Sequence, residues 1–224
     1  MFLGTCKKEK SDNPAQLLQL VLNACNRQKT WNDATYCTIC IALDGEAKHG
    51  DTLAILTMTS DLLVDSPIYA LLQPLKFMNL LVSPDDITTD KDPKHIIKCQ
   101  QNIFMQKKGI SILDFHITPL ILCVHLESNG VTSHCLWALL NPNDKQDVIL
   151  AYLLLKEIWS LPPPPANGDP SFAQAWHALN LYGEFTWNLV LSYVCIDLSL
   201  NEQLIHLSMA THLVFHCYQH NSAG

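Results

Sequence analysis

Four consecutive prolines, Pro162–Pro165, stand shortly before a fifth at Pro170 and form a break that neither a helix nor a central strand can cross. Each proline lacks a backbone N–H and holds φ near −65°. The second half of the chain must therefore fold as two pieces joined by an extended stretch, with a proline-rich linker at 161–170. On either side lie the most apolar runs of the sequence, Val148 to Leu161 and Phe185 to Leu198. Lys156, Glu157, Asn188 and Asp197 interrupt both runs, and neither has the roughly 18 uninterrupted apolar residues of a membrane span. Both are expected as buried helices, and no membrane partner is expected.

The amino-terminal lysines at 7, 8 and 10 follow a short apolar patch, the reverse of the order in a secretory signal. The nine cysteines are an odd number in apolar surroundings, as reduced, buried thiols would be. Both features imply an intracellular protein, nuclear or cytoplasmic. Charged residues are 16% of the chain and apolar residues 48%, a composition that excludes global disorder. A net charge of −7 gives no positive field for binding nucleic acid over the whole surface.

Asn13 and Pro14 open a helix to Arg27 with Leu17, Leu18, Val21, Leu22 and Cys25 on one face. Tyr36 to Leu43 and Thr52 to Thr59 are rich in β-branched and apolar residues and are expected as two paired strands. Asn79 to Ser83 and Ile87 to Thr89 are shorter extended candidates. Asp92 and Pro93 then start a helix to Lys108, with Gly109 after its end. Everything beyond reads as helical: a segment from Thr118-Pro119 to Gly130, then 145–160, 171–192 and 199–218, the last opened by Ser199 and Glu202 at capping-box spacing. The expected fold class is α/β, mostly α overall: a partial mixed sheet followed by a helical bundle. Its expected parts are an amino-terminal helix at 1–30, a sheet domain at 31–117 and a helical region at 118–224.

Asp44, at the end of the first strand-like run, and Asp92, at the head of a helix, are two acids that folding could bring to one sheet edge. Carboxylates arranged in this way hold Mg²⁺ or Mn²⁺ for phosphodiester chemistry. Spacing alone equally allows Asp44 as a turn residue and Asp92 as a simple N-cap. The run Asp92-Pro93-Lys94-His95-Ile96-Ile97-Lys98-Cys99-Gln100-Gln101-Asn102 resembles the D-x-x-H-x-x-K-x-x-R-N signature of P-element and THAP-type DNA transposases. The resemblance implies that Asp92 is the second catalytic carboxylate of an RNase H-like domain, that Asp44 is the first, and that His95, Lys98 and Asn102 support them. It also implies Mg or Mn as cofactor and DNA as partner. Asn141 to Val148 (NPNDKQDV) resembles the opening of the helical insertion in that family, and the chain is similar to fungal relics of such elements that carry DGE and NPxDKQDV runs.

Three departures shape the expected function. Gln101 stands where the signature has Arg, which removes a fork of donors suited to phosphate or carboxylate. No zinc-finger spacing precedes the sheet region. The family's third carboxylate lies beyond the insertion, whereas this sequence ends at Gly224. The expectation is a truncated, transposase-derived remnant with Asp44 and Asp92 as vestigial metal ligands and no independent catalysis. The alternative is a helical interaction module that dimerises or binds a protein through its carboxy-terminal helices.

Other patterns carry less. Cys37 and Cys40 at i, i+3 in a strand face opposite sides and read as core thiols. His206, His212, His216 and His220 with Cys217 have helical metal-ligand spacing but no second ligand cluster, so surface or interface histidines are the expectation. The order N-D-K-Q-D at 143–147, with no phosphate-cradling glycine loop, argues against nucleotide binding. Lys94, Lys98, Lys107 and Lys108 form a solvated face or touch a backbone phosphate. Trp137, Trp159, Trp176 and Trp187 are expected in the core.

Overall fold

A computed structural model describes residues 12–27, 30–31, 34–35, 40–43, 47–74, 79–83, 88–141, 147–165 and 168–222. These residues fall into two compact units, Met1–His95 and Ile96–Gly224. The division lies within a helix rather than at 117, the expected end of the sheet domain. The chain is mostly helical, and no helix among the described residues is long and apolar enough to cross a membrane.

In the first unit, α1 (Asp12–Arg27) begins one residue before its expected cap. After the short antiparallel pair β1 (Thr30–Trp31) and β2 (Ala34–Thr35) comes β3 (Cys40–Leu43). Next in the chain are α2 (Ala47–Thr57), β4 (Ser60–Asp61), α3 (Tyr69–Leu72), β5 (Leu81–Val82) and β6 (Thr88–Lys91). β4 and β5 pair antiparallel, whereas β3 and β6 pair parallel, with α2 packed against both β3 and β6. Leu22, Ile41 and Leu53 form the buried cluster.

The expected strand at 52–59 is instead the second half of α2. Thr57, a residue that ordinarily favours strands, is accommodated because its hydroxyl donates to the carbonyl of Leu53 at 2.8 Å, one helical turn back. Leu53 and Thr57 are buried while Ile55 and Met58 are exposed, a four-residue spacing that suits one helix face and not one strand face. The partner of β3 is therefore β6. Among the described residues the strands make four separate two-stranded sheets rather than one mixed sheet.

The second unit takes most of α4 (Pro93–Met105), the hairpin β7 (Ile110–Ile112) and β8 (Phe115–Ile117), then α5 (Pro119–Ser128), α6 (Ser133–Leu140), α7 (Val148–Trp159), α8 (Pro170–Val194) and α9 (Leu200–Ser222). The hairpin corrects the expectation of helix throughout, and it turns on Leu113 at φ 53. A leucine is strained there, and its packing against the core offsets that strain. Gly109 sits at φ 64, and a Cβ in its place would collide with the carbonyl of Ile117, so hairpin closure requires glycine at this point.

Capping sets the helix ends. Thr118 accepts from the N–H of Ile121, Thr132 from Cys135 and Asp147 from Leu150. Ser199 and Glu202 form the expected capping box, in which Ser199 N–H donates to Glu202 at 2.8 Å and Glu202 N–H donates back to the Ser199 hydroxyl at 3.3 Å. Ser199 also holds the Glu202 carboxyl below its usual range.

Helix α8 is the centre of this unit and packs against α5, α7, α9 and β8. Phe104, Leu122, Leu154, Leu155, Ile158 and Leu179 are buried around it. Two tryptophans correct the expectation of burial: Trp137 is 60% and Trp187 42% exposed, while Trp159 packs edge-on to Trp187 at 5.3 Å. Gly183 of α8 lies tightly against α7: a Cβ there would lie 2.9 Å from Cα of Trp159. Gly183→Ala must therefore push the two helices apart, at an expected cost of about 1–3 kcal/mol. A lowered urea midpoint with unchanged slope would register this loss, and an unchanged midpoint would show that the helices absorb the methyl group.

Candidate functional site

The signature residues begin where a strand ends. β3 and β6 run parallel in the register Cys40↔Thr88 to Leu43↔Lys91, so their carboxyl ends are side by side. The next residue in the chain is an aspartate in both cases, Asp44 after Leu43 and Asp92 after Lys91. Asp44 lies outside the described residues, as does Cys37. Asp92 starts α4: its Oδ1 accepts the N–H of Lys94 at 2.9 Å, and Oδ2 lies 3.2 Å from His95 Nδ1. Both side chains remain open to solvent, His95 at 51% and Asp92 at 40% exposure. The cap is a local consequence of sequence, since an Asp before Pro at the first helical position satisfies a backbone donor that has no partner within the helix. One oxygen of Asp92 thus serves the helix, and the other faces a group whose protonation sets whether the contact is an ion pair.

The remaining signature residues do different work. Lys98, expected as a supporting or phosphate-contacting cation, is only 7% exposed. Its Nζ donates to Gln101 Oε1 and, at 3.1 Å, to the backbone carbonyl of Asp147. Gln101 is fully buried and donates through Nε2 to the carbonyl of Leu139 at 2.8 Å. A buried ammonium is tolerated only where it is hydrogen-bonded, and this pair supplies acceptors by linking α4 to the end of α6 and the start of α7. Asn102 is exposed, as are Lys94, Lys107 and Lys108. The structure thus brings Asp92 to His95 and, in the second unit, Lys98 to Gln101 and Asp147. It takes Lys98 out of reach of a nucleic-acid backbone.

The role of Gln101 was not visible as a function in the sequence, where it stood only as the absence of Arg. Asp147 was likewise hidden within a motif; its carboxylate caps α7 at 3.0 Å while its carbonyl receives Lys98. The signal that could have found Gln101 is periodicity: Ile97, Gln101 and Phe104 fall on one helix face, and the first and last are apolar.

The carboxy-terminal histidines serve separately. His206 Nδ1 meets Asn188 Oδ1 at 2.7 Å, His212 Nδ1 donates to the carbonyl of Ser208 at 2.7 Å, and His220 lies 3.6 Å from the Asp114 carboxylate. Among the described residues no group of three His, Cys, Asp or Glu side chains is placed to hold a metal ion. No protein-family model, curated protein or solved structure matches this chain.

Gln101→Leu should lower stability by about 1–3 kcal/mol, because the Leu139 carbonyl loses its donor and the Lys98 ammonium loses one of its acceptors in the interior. Gln101→Arg introduces the arginine of the resembled signature but sets a second cation against Lys98, and should also destabilise. A Gln101→Arg variant with an unaltered urea midpoint would show that the site admits the residue of the resembled signature.

Proposed function

We propose that this chain is a transposase-derived remnant in which Asp44 and Asp92 form a weak, vestigial site for Mg²⁺ or Mn²⁺ and which has no strand-transfer activity of its own. One observation carries this reading: the parallel, in-register pairing of the strand that leads into Asp44 with the strand that leads into Asp92. Parallel strands put like ends together, and ligands of open α/β sheets gather at the carboxyl ends. Acids following two such ends have the oxygen chemistry a hard divalent cation needs.

Loss of activity is supported by Lys98 and Gln101. In the resembled signature these positions supply two cationic side chains; here one is engaged in the interior and the other is neutral. The RNase H-like ancestry of the sheet belongs to the same proposal and is supported by the order of the motifs along the chain. DNA enters only through that ancestry.

The test is thermal unfolding with and without Mn²⁺. A free metal concentration of about ten times Kd stabilises by about 1.4 kcal/mol, or about 3–5 °C for a chain of this size. Wild type should show such a shift, and Asp44→Asn and Asp92→Asn should each abolish it. Asn at 92 keeps an acceptor for the N–H of Lys94, so any change reports the ion rather than the helix cap. A shift of equal size in the double variant would remove these acids as ligands, and Mn²⁺-dependent nicking of plasmid DNA would overturn the claim of lost activity.

A second reading, an interaction module acting through the carboxy-terminal helices, rests on the apolar side chains of α9 and the residues before it. Ile196 is 94% exposed, and Leu200, Leu204, Ile205 and Met209 are exposed on the helix. Such residues on a stable helix are typical of interface cores. Under this reading light scattering finds a dimer that Leu204→Glu with Met209→Glu converts to monomer, while a monomer at all concentrations counts against self-association.

A further inference from the structure

A cleft of about 470 Å³ opens within the second unit, where α4, β7, α8 and α9 meet. Small-molecule sites have volumes of about 300–1,000 Å³ and mostly apolar walls. Here aliphatic side chains enter from all four elements: Ile103 from α4, Ile110 and Ile112 from β7, Leu181 from α8, and Leu213 and Val214 from α9. The elements are held in place without a ligand, since β7 is paired with β8, and α9 packs against both α8 and β7. Val214 at 43% and Tyr218 at 66% exposure put the α9 wall within reach of solvent, so a molecule can enter from that side.

Charge narrows the class of ligand. No Asp, Glu, Lys, Arg or His lines the cleft. Burial pushes the Tyr182 hydroxyl and the Cys217 thiol up, so both stay protonated and uncharged near neutral pH. The polar groups of the wall are also engaged within the fold. Tyr182 donates to Gln100 Oε1 at 2.8 Å, and Ser111 Oγ lies 3.1 Å from His116 Nδ1. A charged ligand would lose its hydration with nothing to pair it, whereas a neutral apolar one meets no polar group left without a partner.

Aromatic lining narrows it further. Tyr182, Phe185 and Tyr218 contribute three rings to the wall. Those of Tyr182 and Phe185 already meet edge to face, with centroids 5.7 Å apart and planes at 71°. Aromatic rings prefer such contacts with other rings and gain from them beyond the area they bury. Cys217 adds a sulfur, a soft atom that also sits well against an aromatic ring. A flat π system therefore gains from this wall more than a saturated body of the same size.

We infer that this cleft is a binding site for a neutral aromatic small molecule, held by apolar and ring contacts with Phe185, Tyr218 and the surrounding aliphatic side chains. Any polar substituent of the ligand faces the water at the mouth and takes no hydrogen bond from the interior. The site is built wholly from the second unit and is independent of the proposed metal ligands.

The test uses the full chain with ¹³C-labelled isoleucine methyl groups, titrated with benzyl alcohol. The methyls of Ile103, Ile110 and Ile112 should shift saturably, while those of Ile149 and Ile158 on α7 stay in place. Cyclohexylmethanol has the same carbon frame without the π system and should bind about two- to tenfold more weakly. Benzoate adds a charge that the wall cannot pair and should bind at least about tenfold more weakly than benzyl alcohol. Benzyl alcohol should also slow alkylation of Cys217 by iodoacetamide, followed on its own peptide, and leave the exposed Cys99 unaffected. Val214→Trp sets an indole at the open wall and should remove both the methyl shifts and the protection of Cys217. The inference is overturned if benzyl alcohol gives no saturable shift at the cleft methyls, if cyclohexylmethanol or benzoate binds as tightly, or if Val214→Trp leaves binding unchanged.

Discussion

The helical unit depends on how closely α7 and α8 approach each other at Gly183. A side chain there would meet the backbone of Trp159, so only its absence lets Leu154, Leu155, Ile158 and Leu179 pack into a common interior. The proline stretch is the other half of that arrangement. α7 ends at Trp159 and α8 begins at Pro170, and the described residues between them form no further helix or strand. Leu161, buried just before the prolines, fixes the exit. A stretch that reads in sequence as an extended linker is, at its first residue, part of the core.

The Lys98–Gln101 pair tightens the same unit from another side. Its acceptors are main-chain carbonyls at the end of α6 and just before α7, so it ties together three helices whose apolar faces alone would allow some sliding. Buried polar groups contribute little net free energy when satisfied and cost much when broken, which makes them better at specifying an arrangement than at stabilising it. Asp147 takes part twice, through its side chain on α7 and its carbonyl on Lys98. Lys98 and Asp147, one from each of the two stretches that stand out as motifs in the sequence, therefore meet in one joint. Part of what makes them distinctive is structural.

The sequence was most informative where a local rule decides the outcome. Caps at Asp92, Thr118 and Ser199 mark helix starts because a short polar side chain before an apolar run has one backbone donor to satisfy, whatever the tertiary fold. The helix at 47–57 was missed because Thr52 and Thr57 favour strands in isolation, while the hydroxyl bond to Leu53 and burial on one face decide otherwise. The hairpin at 110–117 was hidden because its turn uses Leu113 at positive φ, a choice that turn chemistry does not suggest and only core packing sustains. Residue type likewise misplaced Lys98 and Trp137, the cation buried and the indole exposed. In both cases the neighbours that decide burial come from other helices. The candidate site was legible as two acids far apart in the chain, and the strand register that relates them was not.

Register is also what makes the first unit chemically interesting despite its small core. Leu22, Ile41 and Leu53 bury little surface, and a two-stranded parallel pair has weak intrinsic stability. Such a unit gains much from anything that binds its folded form alone. Two carboxylates following adjacent strand ends would repel each other, a cost that a divalent cation converts into attraction. Under the proposed function the arrangement would couple folding of a marginal sheet to occupation of its edge through chain direction, because parallel strands bring like ends together whatever the length of the connection. Under that proposal the coupling would survive without catalysis, since stabilisation by a bound ion asks only that the two acids meet in the folded form.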